Sequence, residues 1–179
     1  MALNNAFVFI CWLRKFCLLL ILVLCDFMKA VIQRVVNSEL KIDGKMYSSI
    51  DYGLLVLLGV THKDTRKDAE VLAEKIAKLR IFEDDNGKMN LSVMDKCGAL
   101  HIVSQFTLYA DSHHGNRPSF INAAEPAFAN ELYEYFIDYC KNKIGIEVAT
   151  GSFGADMHIT FTNMGPVTII LECVEGKIL

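Results

Sequence analysis

The chain has 179 residues, is 53% hydrophobic, and carries a formal net charge of −3 with a mean hydropathy of +0.30. That length suits one domain with a substantial core. The acidic balance argues against broad, sequence-blind coating of nucleic acid, although it leaves room for a local basic patch that grips one RNA end.

Much of the hydropathy sits in residues 6–27, AFVFICWLRKFCLLLILVLCDF. The longest uncharged run there, Phe16 to Cys25, is ten residues, against about 20 for a spanning helix. Arg14-Lys15 followed by an apolar run fits a signal peptide, but Leu24-Cys25-Asp26-Phe27 is a poor cleavage site. Two readings of residues 1–27 therefore stand, a targeting or anchoring leader and an upstream start codon, and the fold is read over 28–179. Arg14, Lys15 and Asp26 together contribute +1, so the body carries −4. Cys97, Cys140 and Cys173 in the body, like Cys11, Cys17 and Cys25 before it, show no paired spacing. They read as free thiols in a reducing compartment, the cytosol by default, and not as a disulfide framework or zinc site.

From Met28 onward, residues 29–36 and 38–43 are β-branched runs expected to form a strand pair, with Asp43-Gly44 as a turn. Gly53–Gly59 reads as a buried strand. Thr65 to Arg80 is expected to be a helix, with Thr65 and Asp68 as a capping pair and Ala69, Leu72, Ala73, Ile76 and Leu79 as one apolar stripe. Glu83–Gly87 is a loop, and Ala99 to Tyr109 a second apolar strand. A second helix is expected from Pro126, placed where its missing N–H costs nothing, to about Lys143. Its shared face is Phe128, Leu132, Tyr135, Phe136 and Tyr139. Strands follow near 146–149, 156–162 and 167–173. The order predicts an α+β domain: a curved, mostly antiparallel sheet or barrel with two main covering helices.

Four segments could carry chemistry. In Ser104-Gln105-Phe106-Thr107-Leu108, alternation would put Ser104, Phe106 and Leu108 on one face and Gln105 and Thr107 on the other. The polar residues either bond to main chain at a strand end or floor a polar pocket. In Asn163-Met164-Gly165-Pro166-Val167-Thr168, Gly-Pro is a turn, and composition alone favours trans, since about 5–6% of X–Pro bonds are cis. The polar run from Ala110 to Phe120 contains His113-His114, but neighbours in extended chain point opposite ways, so a shared metal is not expected there, nor from the spacing of Cys97, His101 and His158. In Gly151-Ser152-Phe153-Gly154-Ala155-Asp156-Met157, two glycines around a Phe suggest close approach of main chain to a ligand. There is no phosphate-binding G-x-x-x-x-G-K-[ST], no G-x-S-x-G elbow, and no assignable Ser-His-Asp set.

Taken in order and spacing, these segments resemble the D-aminoacyl-tRNA deacylase family over essentially all of residues 28–179. The likeness also runs through Met28–Val35, Gly53–Val60, Leu79–Asp84, Gly87–Ser92, Arg117–Phe120 and Phe153–Met157. The resemblance implies a cytoplasmic homodimer with no cofactor and no metal. It implies an editing hydrolase that deacylates D-aminoacyl-tRNA, and glycyl-tRNA mischarged on alanine tRNA. Gly165-Pro166 would be a cis-proline motif inserted into the partner's site, where its carbonyls reject L side chains, with Arg34 holding it in place. The main-chain N–H groups of Phe106 and Thr107 would form an oxyanion hole, within a catalytic segment that includes Ser104 and Gln105, and the tRNA 2′-OH would assist water. Phe153, Gly154, Ala155 and Met157 would contact the terminal adenosine. The family often has a basic Lys-Gly-x-Arg run after the pocket strand. Here His113-His114-Gly115-Asn116-Arg117 keeps one fixed charge, Arg117, which puts tRNA affinity in doubt more than catalysis. The competing expectation is a catalytically idle relative that binds tRNA.

Overall fold

The computed structural model describes residues 27–179, so both readings of the segment before Phe27 lie outside the described residues. Strand β1 (Met28–Ile42) turns at Asp43-Gly44 into β2 (Lys45–Gly59). Asp43 and Gly44 both have positive φ, 51° and 74°, as a two-residue hairpin turn that matches strand twist requires. The expected strand pair over 29–43 is instead this one continuous strand. Asn37 (φ 51°) takes the left-handed conformation in its middle and shifts the pairing without ending it. Asparagine tolerates that region, which is why no break shows in the local pattern.

Helix α1 (Arg66–Ala77) begins at a capping box. Asp68 Oδ2 accepts from the Thr65 N–H at 2.9 Å, and the Thr65 hydroxyl accepts from the Asp68 N–H at 3.3 Å. A cap of this kind is worth about 1 kcal/mol. Burial would raise the Asp68 carboxyl pKa, yet hydrogen bonds from the Gly176 N–H and from Thr65 hold it below the ordinary carboxylate value. Asp68 thereby ties the helix start to the chain's end. The helix stops at Ala77, short of the expected Arg80, and Leu79 follows in a turn.

A small hairpin, β3 (Phe82–Glu83) and β4 (Met89–Leu91), leads to β5 (Ala99–Ser104). Helix α2 (Pro126–Tyr139) has Pro126 in its first turn and runs into a wider turn, Cys140–Ile144. Its buried face is Leu132, Tyr133, Phe136 and Ile137; of the expected set Leu132 and Phe136 lie on it, while Phe128 is exposed. Tyr135 and Tyr139 lie at the edge, where their hydroxyls donate to Glu70 and Glu74 of α1 at 2.7 and 3.0 Å. Amphipathic tyrosines fit such an edge, because ring and hydroxyl face different surroundings. Strands β6 (Val148–Thr150), β7 (Met157–Val174) and β8 (Lys177–Ile178) complete the chain. The two strands expected near 156–162 and 167–173 are one, because Gly165-Pro166 is accommodated as a bulge within β7.

The curled six-stranded sheet has the order β6-β5-β2-β1-β7-β8. The pairs β1–β2, β1–β7 and β7–β8 are antiparallel, and β2–β5 and β5–β6 are parallel. Each parallel step is bridged by a helix, as crossover geometry demands. Leu54, Val56 and Leu58 of β2 join the core shared with both helices, while Leu55 joins a smaller cluster with Val35, Leu40, Ile50, Ala99 and Val103 on the opposite face. This two-sided burial explains the unbroken apolar run in β2. Within the smaller cluster His101 is fully buried, with Ser38 Oγ 2.9 Å from Nδ1 and Ser48 Oγ 3.0 Å from Nε2. The Ser48 hydroxyl also donates to the Thr150 carbonyl at 2.8 Å.

Candidate active site

Strand β5 stops at Ser104. Gln105 leaves the strand yet stays attached to β2, its N–H donating to the Leu58 carbonyl at 2.7 Å. Phe106–Tyr109 then wind into a tight helical turn. The expected strand to Tyr109, with its alternation of Ser104, Phe106 and Leu108 against Gln105 and Thr107, therefore does not form. Gly59 makes the room: a Cβ there would lie 2.9 Å from the Tyr109 ring and 3.3 Å from the Gln105 carbonyl oxygen. Tyr109 is buried and anchors the turn, its hydroxyl donating to the Phe27 carbonyl at 2.7 Å with the Lys29 ammonium 5.4 Å above its ring.

The first bonds of the turn run from the Leu108 N–H to Gln105 O (3.4 Å) and from the Ala110 N–H to Thr107 O (3.1 Å). The N–H groups of Phe106 and Thr107 precede them, so the turn itself gives these two donors no acceptor. Two adjacent main-chain donors of this kind can receive a developing negative oxygen.

Beside the turn lies a cavity of about 620 Å³. Ser104, Gln105 and Phe106 form one wall, Phe153, Gly154, Ala155 and Met157 another, and Phe120, Ala123 to Pro126, Ala129 and Tyr133 a third. Tyr133 is buried against it, and its hydroxyl donates to the Ile102 carbonyl at 2.9 Å and more weakly toward Gly151 O at 3.4 Å. Burial drives its phenol pKa far above the ordinary value, so it stays neutral and acts as a brace. Seven residues singled out in two distant sequence segments thus converge on one cavity. Thr107 is exposed and does not line it; its hydroxyl accepts from Gln105 Nε2. Arg117 is exposed in the 111–119 loop, which is closed by reciprocal main-chain bonds of 2.8 Å between Asp111 and Ser119.

Gly165, Pro166 and Arg34 stand apart from the cavity lining. In the register of β1 and β7, Val35 pairs with Asn163 and Gln33 with Thr168, so Met164–Val167 bulge out opposite Arg34 alone. The Gly165–Pro166 bond is cis, and both residues are exposed. Arg34, only 5% exposed, donates from Nη1 to the Ile81 carbonyl at 2.7 Å and from Nε to the Met164 carbonyl at 3.3 Å, with Glu83 at 3.6 Å from Nη2. Asn163 braces the other side: its Oδ1 accepts from the Val167 N–H at 3.0 Å and its Nδ2 donates to Thr168 Oγ1 at 3.2 Å. Gly165 has φ +116°, and a Cβ on it would meet Val167 Cγ2 at 2.9 Å and Arg34 Nη2 at 3.0 Å. Only glycine adopts this conformation readily.

Sequence reasoning gave no role to the Asn163 side chain, to Tyr133 or to Ala123–Glu125, and it took Pro126 only as a helix start. An Asn closing a loop onto a main-chain N–H is a known turn device and could have flagged Asn163. Tyr133 and the Phe120–Pro126 wall depend on tertiary packing and leave no local signal. Among the described residues, no group of three or more His, Cys, Asp or Glu side chains could hold a metal ion.

The chain thus combines a curled α+β sheet, a cavity beside the Phe106–Tyr109 turn and an exposed Gly165-Pro166 bulge. Residues 31–172 match the family model described as D-Tyr-tRNA(Tyr) deacylase. The chain is similar to the D-aminoacyl-tRNA deacylase of Thermosipho africanus, at 53% identity over 145 residues, covering 81% of this chain and 97% of the relative. It is 54% identical over 145 residues to that of Clostridioides difficile, with the same coverages. A solved structure titled c-Myc DNA Unwinding Element Binding Protein is 40% identical, with a TM-score of 0.76 over 81% of this chain and 98% of that one. Another, described as a probable eukaryotic D-amino acid tRNA deacylase, shares the fold at 15% identity and a TM-score of 0.72, covering 82% of this chain and 100% of that one. The chain belongs to the D-aminoacyl-tRNA deacylase family.

Proposed function

We propose that this chain hydrolyses the ester of D-aminoacyl-tRNA to free tRNA and D-amino acid. It works as a homodimer in which each Gly165-Pro166 enters the partner's cavity. The observation that carries this reading is the bulge itself. Met164–Val167 is clamped by a buried arginine and an asparagine, yet its exposed tip contributes nothing to the cavity of its own chain. A segment fixed so firmly and displayed outward has work to do on a second copy.

In this reading the terminal adenosine lies along Phe153, Gly154, Ala155 and Met157, and Arg117 meets a phosphate. The ester carbonyl oxygen points to the N–H groups of Phe106 and Thr107, beside Ser104 and Gln105. Water adds to the carbonyl carbon with help from the ribose 2′-OH, the carbon–oxygen ester bond breaks, and the ribose oxygen leaves with a proton. Charge builds on the carbonyl oxygen during addition, where fixed main-chain donors act without reorganisation. An L side chain collides with the Gly165 and Pro166 carbonyls, a D side chain points outward, and glycine has nothing to exclude, so glycyl-tRNA is also a substrate. Selectivity built on a clash with the wrong partner needs few contacts to the right one. Neither a metal nor a cofactor enters this chemistry. The body from Met28 suffices for it, and the unpaired thiols Cys97, Cys140 and Cys173 are compatible with the cytosol. No helix among the described residues is long and apolar enough to cross a membrane.

The test is hydrolysis of D-tyrosyl-, L-tyrosyl- and glycyl-tRNA by the purified protein beginning at Met28, with its mass measured in solution. Fast turnover of the D and glycyl esters by a dimer is expected. Equal rates on D and L esters would remove the steric filter, and tRNA binding without turnover would make the chain an idle relative.

A further inference from the structure

The cavity's outer edge carries two aromatic rings that the chemistry above does not use. Phe106 is 58% exposed and Phe120 is 37% exposed. Their centroids are 5.0 Å apart and their planes cross at 70°, an edge-to-face arrangement that leaves ring faces open to solvent. The Phe120 segment is pinned. The Ala124 N–H donates to Val60 O at 3.0 Å, the Thr61 hydroxyl to Asn122 O at 2.7 Å, and His62 Nε2 to Ile121 O at 2.9 Å. Phe106 is fixed by the turn it begins. The rings therefore form a rigid apolar ledge, not a mobile flap.

We propose that the Phe106–Phe120 pair is a stacking platform for the unpaired base that precedes the terminal nucleoside of the tRNA. This rests on the deacylase reading: with the ester at the Phe106 and Thr107 amides, the strand leaves the cavity past this edge. Charge is a weak means of holding that strand here. The body is acidic, and the loop between the two rings has one fixed cation, Arg117. Stacking serves instead, because every base has a π-face and aromatic side chains hold single strands without reading sequence. Arg117 then lies where the phosphate linking the two nucleotides can approach it, and such a contact positions the strand without reading it.

The experiment compares D-alanyl and D-phenylalanyl esters of adenosine with the same esters of the trinucleotide CCA, for the wild type, Phe120→Ala and Phe120→Tyr. Phe120→Ala is expected to raise KM for both trinucleotide esters by roughly 5- to 100-fold more than for the nucleoside esters, with kcat little changed, and Phe120→Tyr to behave as wild type. In parallel, the uncharged trinucleotide with 2-aminopurine as its middle base should lose fluorescence on binding the wild type and not on binding Phe120→Ala. Equal losses on nucleoside and trinucleotide overturn the platform and place Phe120 in the terminal-nucleoside pocket. A loss that follows the phenylalanyl ester assigns the rings to the amino-acid side chain. Absence of quenching in the wild type overturns the platform whatever the turnover. Quenching without hydrolysis of any ester keeps it and overturns the deacylase reading.

Discussion

The turn at Phe106–Tyr109 follows the end of a strand and the bulge at Met164–Val167 lies within one, and they are held in different ways. The turn is fixed chiefly through main chain, with Gln105 bonded to Leu58, while its anchoring side chain, Tyr109, sits at the far end. The groups proposed to work there are amides, and the side chain of Thr107 is exposed. The bulge is fixed through side chains, with Arg34 on one flank and Asn163 on the other. Substitution should therefore spare the first region and damage the second, although the proposed reaction uses both.

The largest effect should come from the substrate. If main-chain donors and the ribose hydroxyl do the chemistry, a D-aminoacyl ester on a 3′-OH beside a 2′-deoxy position should react about 10²- to 10⁴-fold more slowly in single turnover, the range of a lost acid–base partner. An unchanged rate would send the search back to a protein side chain. Next, Gly165→Ala forces a Cβ against Val167 and Arg34. A shift of the bulge by an ångström should lower kcat/KM on D-tyrosyl-tRNA by about 100-fold, and discrimination against L esters should fall with it. Wild-type selectivity in that variant would mean that the tip is not the filter.

Arg34→Ala leaves the Ile81 and Met164 carbonyls without their charged donor. It should cost about 1.5–3 kcal/mol of stability in chemical denaturation while remaining folded, and it should lower activity. Asn163→Ala removes weaker, neutral bonds, about 0.5–1.5 kcal/mol each, and should show the same pattern in miniature. If either variant is destabilised without any kinetic change, its brace serves the fold alone. The smallest effect is expected at Thr107→Ala, which leaves the N–H donor in place. A folded but inactive Thr107→Ala, or a trapped acyl-threonine, would make Thr107 a nucleophile and end the contrast between the regions.

What was legible in the sequence was local chemistry with a fixed offset. Asp43-Gly44, the Thr65–Asp68 box and Pro126 each announce a turn or helix start, and each stands where expected. Ser104, Gln105, Phe106 and the 153–157 segment stood out as candidates, but their meeting at one cavity depends on β5 and the β6–β7 connection lying side by side, which no local period encodes. Asn37 and Gly165-Pro166 look like strand ends yet lie within strands, because partner strands on the far side of a bulge restore pairing. Conversely, Ala99 to Tyr109 looks like one strand because an apolar run cannot reveal that Gln105 turns away. The buried face of α2 was misjudged by about one position, since Tyr135 and Tyr139 count as apolar in a periodicity while their hydroxyls seek the glutamates of α1.

His101 lies three residues before Ser104 on β5, and burial keeps its pKa below the ordinary 6.5, opposed only in part by a main-chain contact at Ser38. On acidification below the ordinary 6.5 the unfolded chain therefore takes up a proton that the folded chain refuses. Its contribution to stability is complete above about pH 6.5 and drains away as the solution is acidified toward the folded value. The amides of Phe106 and Thr107 do not titrate, so an acidic limb in the rate profile invites assignment to a catalytic ionisation. Thermal melts recorded across the same pH series should fall with the activity, and His101→Gln should flatten both curves together. An acid limb that survives in the variant would belong to the active site after all.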